Sequence, residues 1–195
     1  MSAITERISI SIQGTVEELK IPLKPFLQVL KEQPGYIRTR WGPQFEDMQK
    51  LELLLDWESI EACETFKSSP QFAERMVEMK PLLAGVPTIY YISFVPYALD
   101  DVIDSVVVEA ITFTDCSAAT GDTIRVKVEK ARGLSGCTDL VSGLAQGDNA
   151  AGNFVAMVGW ESLEKSKEAD KGYTEGAADV HHVNYNFPVE GFRGL

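Results

Sequence analysis

Residues 7–12 alternate, with Ile8, Ile10 and Ile12 on one side and Ser9 and Ser11 on the other. That period of two is the signature of a half-buried strand. Residues 23–31 switch to helical spacing, with Phe26, Leu27 and Leu30 on one side and Pro25 tolerated in a first turn. Pro34-Gly35 ends the helix. Residues 36–41 predict a second strand, Gly42-Pro43 a turn, and the apolar run 51–57 a central strand. Ser59 can cap a helix over 61–67, and Ser69-Pro70 starts another running to about residue 83. Residues 88–95 predict a last strand in this half.

The remainder repeats the order. Residues 105–113, with Val106, Val107 and Val108, predict a strand. Asp122 or Thr123 could cap a helix carrying Ile124, Val128 and Ala131, which Gly133 ends. Residues 136–142 predict a strand, 143–152 a polar Gly-rich loop, and 154–160 a further apolar strand. Ser162 caps a helix, and 180–187 closes the half as a strand. Leu54-Leu55-Asp56-Trp57-Glu58-Ser59 and Met157-Val158-Gly159-Trp160-Glu161-Ser162 stand 103 residues apart, and Pro34-Gly35-Tyr36 and Ser135-Gly136-Cys137 stand 101 apart. Two chance strand-to-helix turns could give one such match; agreement of element order along the whole chain favours an internal repeat. The reading is α+β: a repeat over 1–98, an exposed acidic linker over 99–104, and a second repeat over 105–195, each β-α-β-β-α-β and ferredoxin-like.

With Gly35 and Gly136 leading into the second strands, and Trp57 and Trp160 in the Trp-Glu-Ser turns, the sequence resembles the dimeric α/β-barrel superfamily. In particular it is similar to antibiotic-biosynthesis-monooxygenase domains, present twice over residues 5–96 and 103–188. The resemblance implies sheet packed on sheet, so that a tandem chain forms an intramolecular pseudo-dimer and is monomeric. A four-stranded sheet with helices on one face does need cover on the other.

Charge and composition narrow the partners. Lys plus Arg is 18 against 29 Asp plus Glu, a net −11, which leaves no basic excess for nucleic acid or an anionic membrane. No apolar run reaches the ~20 residues of a membrane span, and no signal peptide is visible. Three widely spaced cysteines, Cys63, Cys116 and Cys137, form no disulfide framework. A cytoplasmic, reducing location is expected, with the cysteines inert.

The chemistry is read from few residues. No phosphate loop, GxGxxG, GxSxG or HExxH motif occurs, so no metal or nucleotide cofactor is expected. His181 and His182 are the two histidines and, adjacent on a strand, face opposite ways. His181 shares a face with Val183, Tyr185 and Phe187; His182 shares one with Asn184 and Asn186. His181 with Tyr185 is the candidate acid–base pair, with His182 and Asn184 as alternatives, in a pocket between the second sheet and its helices. His181 as a satisfied core residue is the competing reading. Substrate-lining candidates are Trp160, Tyr173 and Trp57, the tryptophans serving equally as helix-to-sheet packing. Arg38 and Arg40 could clamp an anion, lie on a solvated face or bridge the halves. Where superfamily cyclases carry a Tyr and a His near helix two, this chain has Phe66 and Phe72.

The resemblance implies a small-molecule monooxygenase or cyclase in secondary metabolism, with an aromatic or polyketide-like substrate. A non-catalytic ligand-binding or stress-responsive protein and a haem-binding barrel are the alternatives.

Overall fold

The computed structural model describes residues 3–95, 99–147 and 152–186. The first half runs β1 (Ile4–Ser11), α1 (Val16–Lys31), β2 (Tyr36–Pro43), β3 (Lys50–Trp57), α2 (Ile60–Lys67), α3 (Pro70–Met79) and β4 (Thr88–Ile92). A short helix α4 (Leu99–Ile103) leads into β5 (Val107–Phe113), α5 (Ala118–Val128), β6 (Cys137–Gln146), β7 (Phe154–Trp160), α6 (Leu163–Glu168) and β8 (Asp179–Val183). The strand order is β2-β3-β1-β4-β6-β7-β5-β8, and the pairings within it are antiparallel.

Two seams join the halves into a barrel. At one, β4 meets β6 through Tyr91–Gln146 and Ile92–Ala145, extended by Val95–Ser142. At the other, Gln44 bridges Val183, and Phe45 N–H donates to the His182 carbonyl at 2.8 Å. Each seam passes over a glycine of a second strand. A Cβ at Gly42 would lie 1.8 Å from the Asn184 carbonyl oxygen, and one at Gly143 2.5 Å from that of Ser93. Only an absent side chain permits such approach.

The sheet separates an outer layer from an inner one. Outward residues of the first half (Ile4, Ile10, Leu53, Leu55, Trp57) pack under α1 with Leu19, Leu23 and Phe26. Those of the second (Val107, Ile111, Phe154, Val158, Trp160) pack under α5 with Ile124 and Val128. The inner layer between the sheets holds Leu54, Tyr90, Ile92, Val108, Met157 and Val183. Trp57 and Trp160 occupy equivalent places: each ends its strand, is wholly buried, and precedes a serine-capped helix. Glu58 N–H bonds the Gly35 carbonyl at 2.8 Å and Glu161 N–H that of Gly136 at 2.9 Å.

Several boundaries differ from the sequence reading. Helix α1 begins at Val16, two turns early, because Thr15 and Glu18 form a capping box. Its buried stripe outweighs Pro22 and Pro25 lying inside it. Ser117, not Asp122 or Thr123, caps α5. Helix α3 ends at Met79 and gives way to a 3-10 turn, Lys80–Leu82. Residues 143–146 continue β6 instead of opening a loop, since the β4 seam supplies a partner. Residues 99–103 of the expected exposed linker are helical, with Val102 and Ile103 buried in the inner layer. Phe187 and the expected boundary at residue 98 lie outside the described residues.

Candidate functional site

Strand β8 aims His181 inward, where it joins charged groups from both halves. His181 Nδ1 lies 2.6 Å from Asp179 and Nε2 3.2 Å from Glu52. Arg7 Nε donates to Glu52 at 2.6 Å, Nη1 to Thr112 at 3.1 Å and also to the Tyr90 hydroxyl. Burial disfavours a charged imidazole, but Asp179 and Glu52 outweigh it and push the His181 pKa up to about 9. Arg7 and His181 overcome burial at Glu52 and hold its carboxyl at about 2. The Asp179 and Glu52 carboxylates thus favour the imidazolium form of His181 at the joint between the halves. Tyr185 shares this layer, its buried hydroxyl unbonded among the described residues. Trp160, expected beside them, is on the opposite face of the sheet, because alternation turns it toward the helices.

On that outer face each half carries one buried carboxylate, at a place where strand alternation calls for an apolar side chain. In the second half Glu109 accepts from Lys171 Nζ at 2.8 Å, from the Tyr173 hydroxyl at 2.5 Å and from Trp160 Nε1 at 3.1 Å. Lys171 also donates to Ser166 Oγ at 2.9 Å, which lies 2.8 Å from His182 Nε2. His182 Nδ1 meets Glu46 at 2.5 Å. In the first half Glu6 pairs with Lys67 at 2.7 Å and accepts from Cys63 Sγ at 3.2 Å. Lys67 donates to the Tyr91 hydroxyl at 2.8 Å. Burial opposes the Lys67 charge, yet Glu6 holds its pKa above the ordinary value. Burial and Glu6 push the Cys63 thiol up to about 12, so it is no nucleophile.

The two corners correspond residue by residue. Glu6 and Glu109, Trp57 and Trp160, and Cys63 and Ser166 are each 103 positions apart. Glu6 pairs with Tyr91 across β1–β4 as Glu109 pairs with His182 across β5–β8. Their surroundings differ. Beside the Glu6 corner lies an apolar cavity of about 80 Å³, walled by Ile8, Ile10, Phe26, Leu53, Leu55, Trp57, Phe66 and Phe72. The half-buried Met76, Leu83, Pro87 and Ile89 also line it. This cavity lies in the first half, whereas the histidines pointed to the second.

Of the other candidates, Arg38 pairs with Asp56 at 2.5 Å and with Asp100 on α4, tying β2 to the connection between the halves. Arg40 Nη1 reaches only a carbonyl, that of Thr39, at 3.4 Å. Asn184 accepts from Asn186 N–H in a turn. Among the described residues no group of three His, Cys, Asp or Glu could hold a metal. Glu6, Lys67, Glu109 and Lys171 were missed by the sequence reading. The available signal was a glutamate interrupting Ile4, Ile8 and Ile10 on one strand and Val107, Ile111 and Phe113 on the other.

A barrel of two ferredoxin-like halves, sheet against sheet with helices outside, is the dimeric α/β-barrel fold, closed here within one chain. Solved structures agree. An anthrone oxidase-like protein matches with a TM-score of 0.62 at 10% identity, over 94% of this chain and 92% of its own. A candidate monooxygenase from Fusobacterium nucleatum matches at 0.60 and 8% identity, over 93% and 90%. One from Lactobacillus acidophilus matches at 0.56 and 11%, over 94% and 93%. No family model matches the sequence, and no curated protein matches it. No described helix is long and apolar enough to cross a membrane.

Proposed function

We propose that the protein is a small-molecule enzyme of monooxygenase type, with its ligand site in the first-half cavity. One observation carries the reading: an apolar cavity of about 80 Å³ lies between the first sheet and its helices, beside the ion-paired Glu6 and Lys67. Pockets of this composition bury a ligand and exclude water from it. The substrate we infer is aromatic or polyketide-like, and Phe26, Phe66 and Phe72, in mutual ring contact, give it an aromatic wall. Dioxygen is the oxidant in this reading. Conversion of a ring methylene to a carbonyl then consumes one O2 and releases one water, without a metal or nucleotide. The chain's part is to bind, orient and shield the ring. The names of the similar structures support that reaction class, and the three free thiols support a reducing, cytoplasmic setting.

The test is oxygen uptake with a panel of hydroxylated aromatic and polyketide-like compounds, comparing the wild type with Phe72→Trp, which fills the cavity. Uptake by the wild type and its loss in the variant is the expected result; equal uptake by both would place the chemistry elsewhere. A non-catalytic binder is the second reading, favoured by the absence of either histidine from the cavity lining; ligand binding with no oxygen uptake across the panel would select it. The haem-binding alternative draws no support from this cavity, whose lining includes neither histidine. We also infer a monomer, since both sheet seams are made within the chain.

A further inference from the structure

The wall of the first-half cavity shows almost no polar surface. Glu6, Trp57 and Lys67 line it with polar side chains, but none presents its polar atoms to it. Glu6 directs one carboxylate oxygen to Lys67 at 2.7 Å and the other to Cys63 Sγ at 3.2 Å. The Lys67 ammonium also reaches the Tyr91 hydroxyl at 2.8 Å and Glu64 at 3.3 Å. The Trp57 indole N–H is sealed from solvent. These three residues therefore give the wall methylenes and ring carbons. A hydroxyl taken into such a wall loses its water and finds no partner, whereas hydrocarbon gains by the same transfer. Size adds a second constraint. The cavity measures about 80 Å³, and an apolar cavity of about 150 Å³ is what holds a whole benzene ring. A ring thus enters by one edge and leaves the opposite edge at the mouth. The half-buried Met76 and Pro87 mark that mouth. Their chain neighbours Val77 and Val86 are 72% and 95% exposed, so the apolar surface continues outward.

We propose that the cavity selects a ligand by its pattern of substitution: it takes an unsubstituted or alkyl-bearing edge of a ring and leaves every hydroxyl at the mouth. This rests on the cavity being the ligand site and names the class of ring that the site accepts. The specificity-determining residues are then apolar ones, Ile8, Leu53, Leu55 and Phe66, which offer an entering hydroxyl nothing to bond. A ring with hydroxyls all round is excluded. A ring with its hydroxyls gathered on one side is accepted, and its polar side faces water.

The test uses the full chain in oxygen-free buffer, where no turnover intrudes, with para-fluorotoluene as the reporter in fluorine NMR. Pyrogallol and phloroglucinol, ring triols of one formula, compete with it. Pyrogallol gathers its hydroxyls on one side and has free edges opposite, whereas every edge of phloroglucinol carries a hydroxyl. Pyrogallol is expected to displace the reporter at a concentration about tenfold or more below that needed of phloroglucinol. Phe72→Trp and Met76→Trp, which fill the cavity from α3, should each abolish reporter binding and so locate it. Equal displacement by the two triols, preference for phloroglucinol, or no displacement by pyrogallol would overturn the proposal and leave the cavity reading intact. A reporter that does not bind the wild type, or that binds both filled variants unchanged, would overturn both. The comparison of triols needs no variant, so a misfolded substitution does not decide it.

Discussion

The Glu6 and Glu109 corners are built on one plan and put to different ends. Both place a glutamate on the first strand of a half, a tryptophan at the end of its third, and a lysine at or shortly past the end of the next helix. In the second half that helix is short, six residues against eight. The following 3-10 turn, Lys171–Thr174, drops Tyr173 onto the carboxylate. In the first half α3 continues for ten residues and sets Phe72 and Met76 further out, which leaves a cavity beside the corner. A difference of one helix in length separates a corner covered by a phenol from one with a cavity beside it, with the charged pair kept in both.

The widest gap between the corners should come from removing their carboxylates. Glu109→Leu strands three donors, Lys171, Tyr173 and Trp160, and is expected to cost about 3–5 kcal/mol in urea unfolding. Glu6→Leu leaves Lys67 its contacts with Glu64 and Tyr91, and should cost about 1–3 kcal/mol. Equal losses would break the comparison.

The pH profile of stability separates the corners from the barrel joint. His181 has its pKa raised from 6.5 to about 9, so its contribution is whole below 6.5 and lost as pH climbs through about 9. Glu52 is lowered from 4.5 to about 2, so its contribution is whole above 4.5 and lost as pH falls through about 2. Stability should peak between 4.5 and 6.5. Thermal melts of Glu109→Leu should show a lower curve of the same shape, and a changed shape would mean that the corner, too, titrates.

A finer contrast lies in the two tryptophans. Trp57→Phe and Trp160→Phe lose similar packing, but only the second loses an N–H bond to a buried carboxylate. The second should therefore cost about 1.5–3 kcal/mol more, and matched urea midpoints for the two variants would contradict the unpaired state of Trp57. Smallest of all, Cys63→Ser copies Ser166 into the first corner and should change stability by less than about 1 kcal/mol, as read from urea midpoints.

Much of the fold was legible because its signals are local: alternation in β1, the Trp-Glu-Ser turn twice, the serine caps. Where α1 starts was written in Thr15 and Glu18, but two prolines masked it. The site was less legible for a reason specific to layered folds. Alternation put His181 and Tyr185 on one side, and both are in fact inward, though β8 ends at Val183 before Tyr185; alternation does not say whether that side meets helices or another sheet. Here it meets the other sheet, where Arg7 and Glu52 of the distant half claim the imidazole. Glu6 could have been found by asking which residue breaks an isoleucine face; that Tyr173 would cover one corner and a cavity lie beside the other depended on helix length, which no motif encodes.

The two glycine-bearing seams also govern association. Without the covalent connection, two such halves would meet only as far as their bulk concentration allowed. Within one polypeptide each half meets the other at an effective concentration on the order of millimolar. Both pairs of sheet edges are then engaged, at Gly42 against Asn184 and at Gly143 against Ser93. A sheet closed in this way offers few unpaired strands to recruit a neighbour, so the duplication also guards the chain against edge-to-edge aggregation.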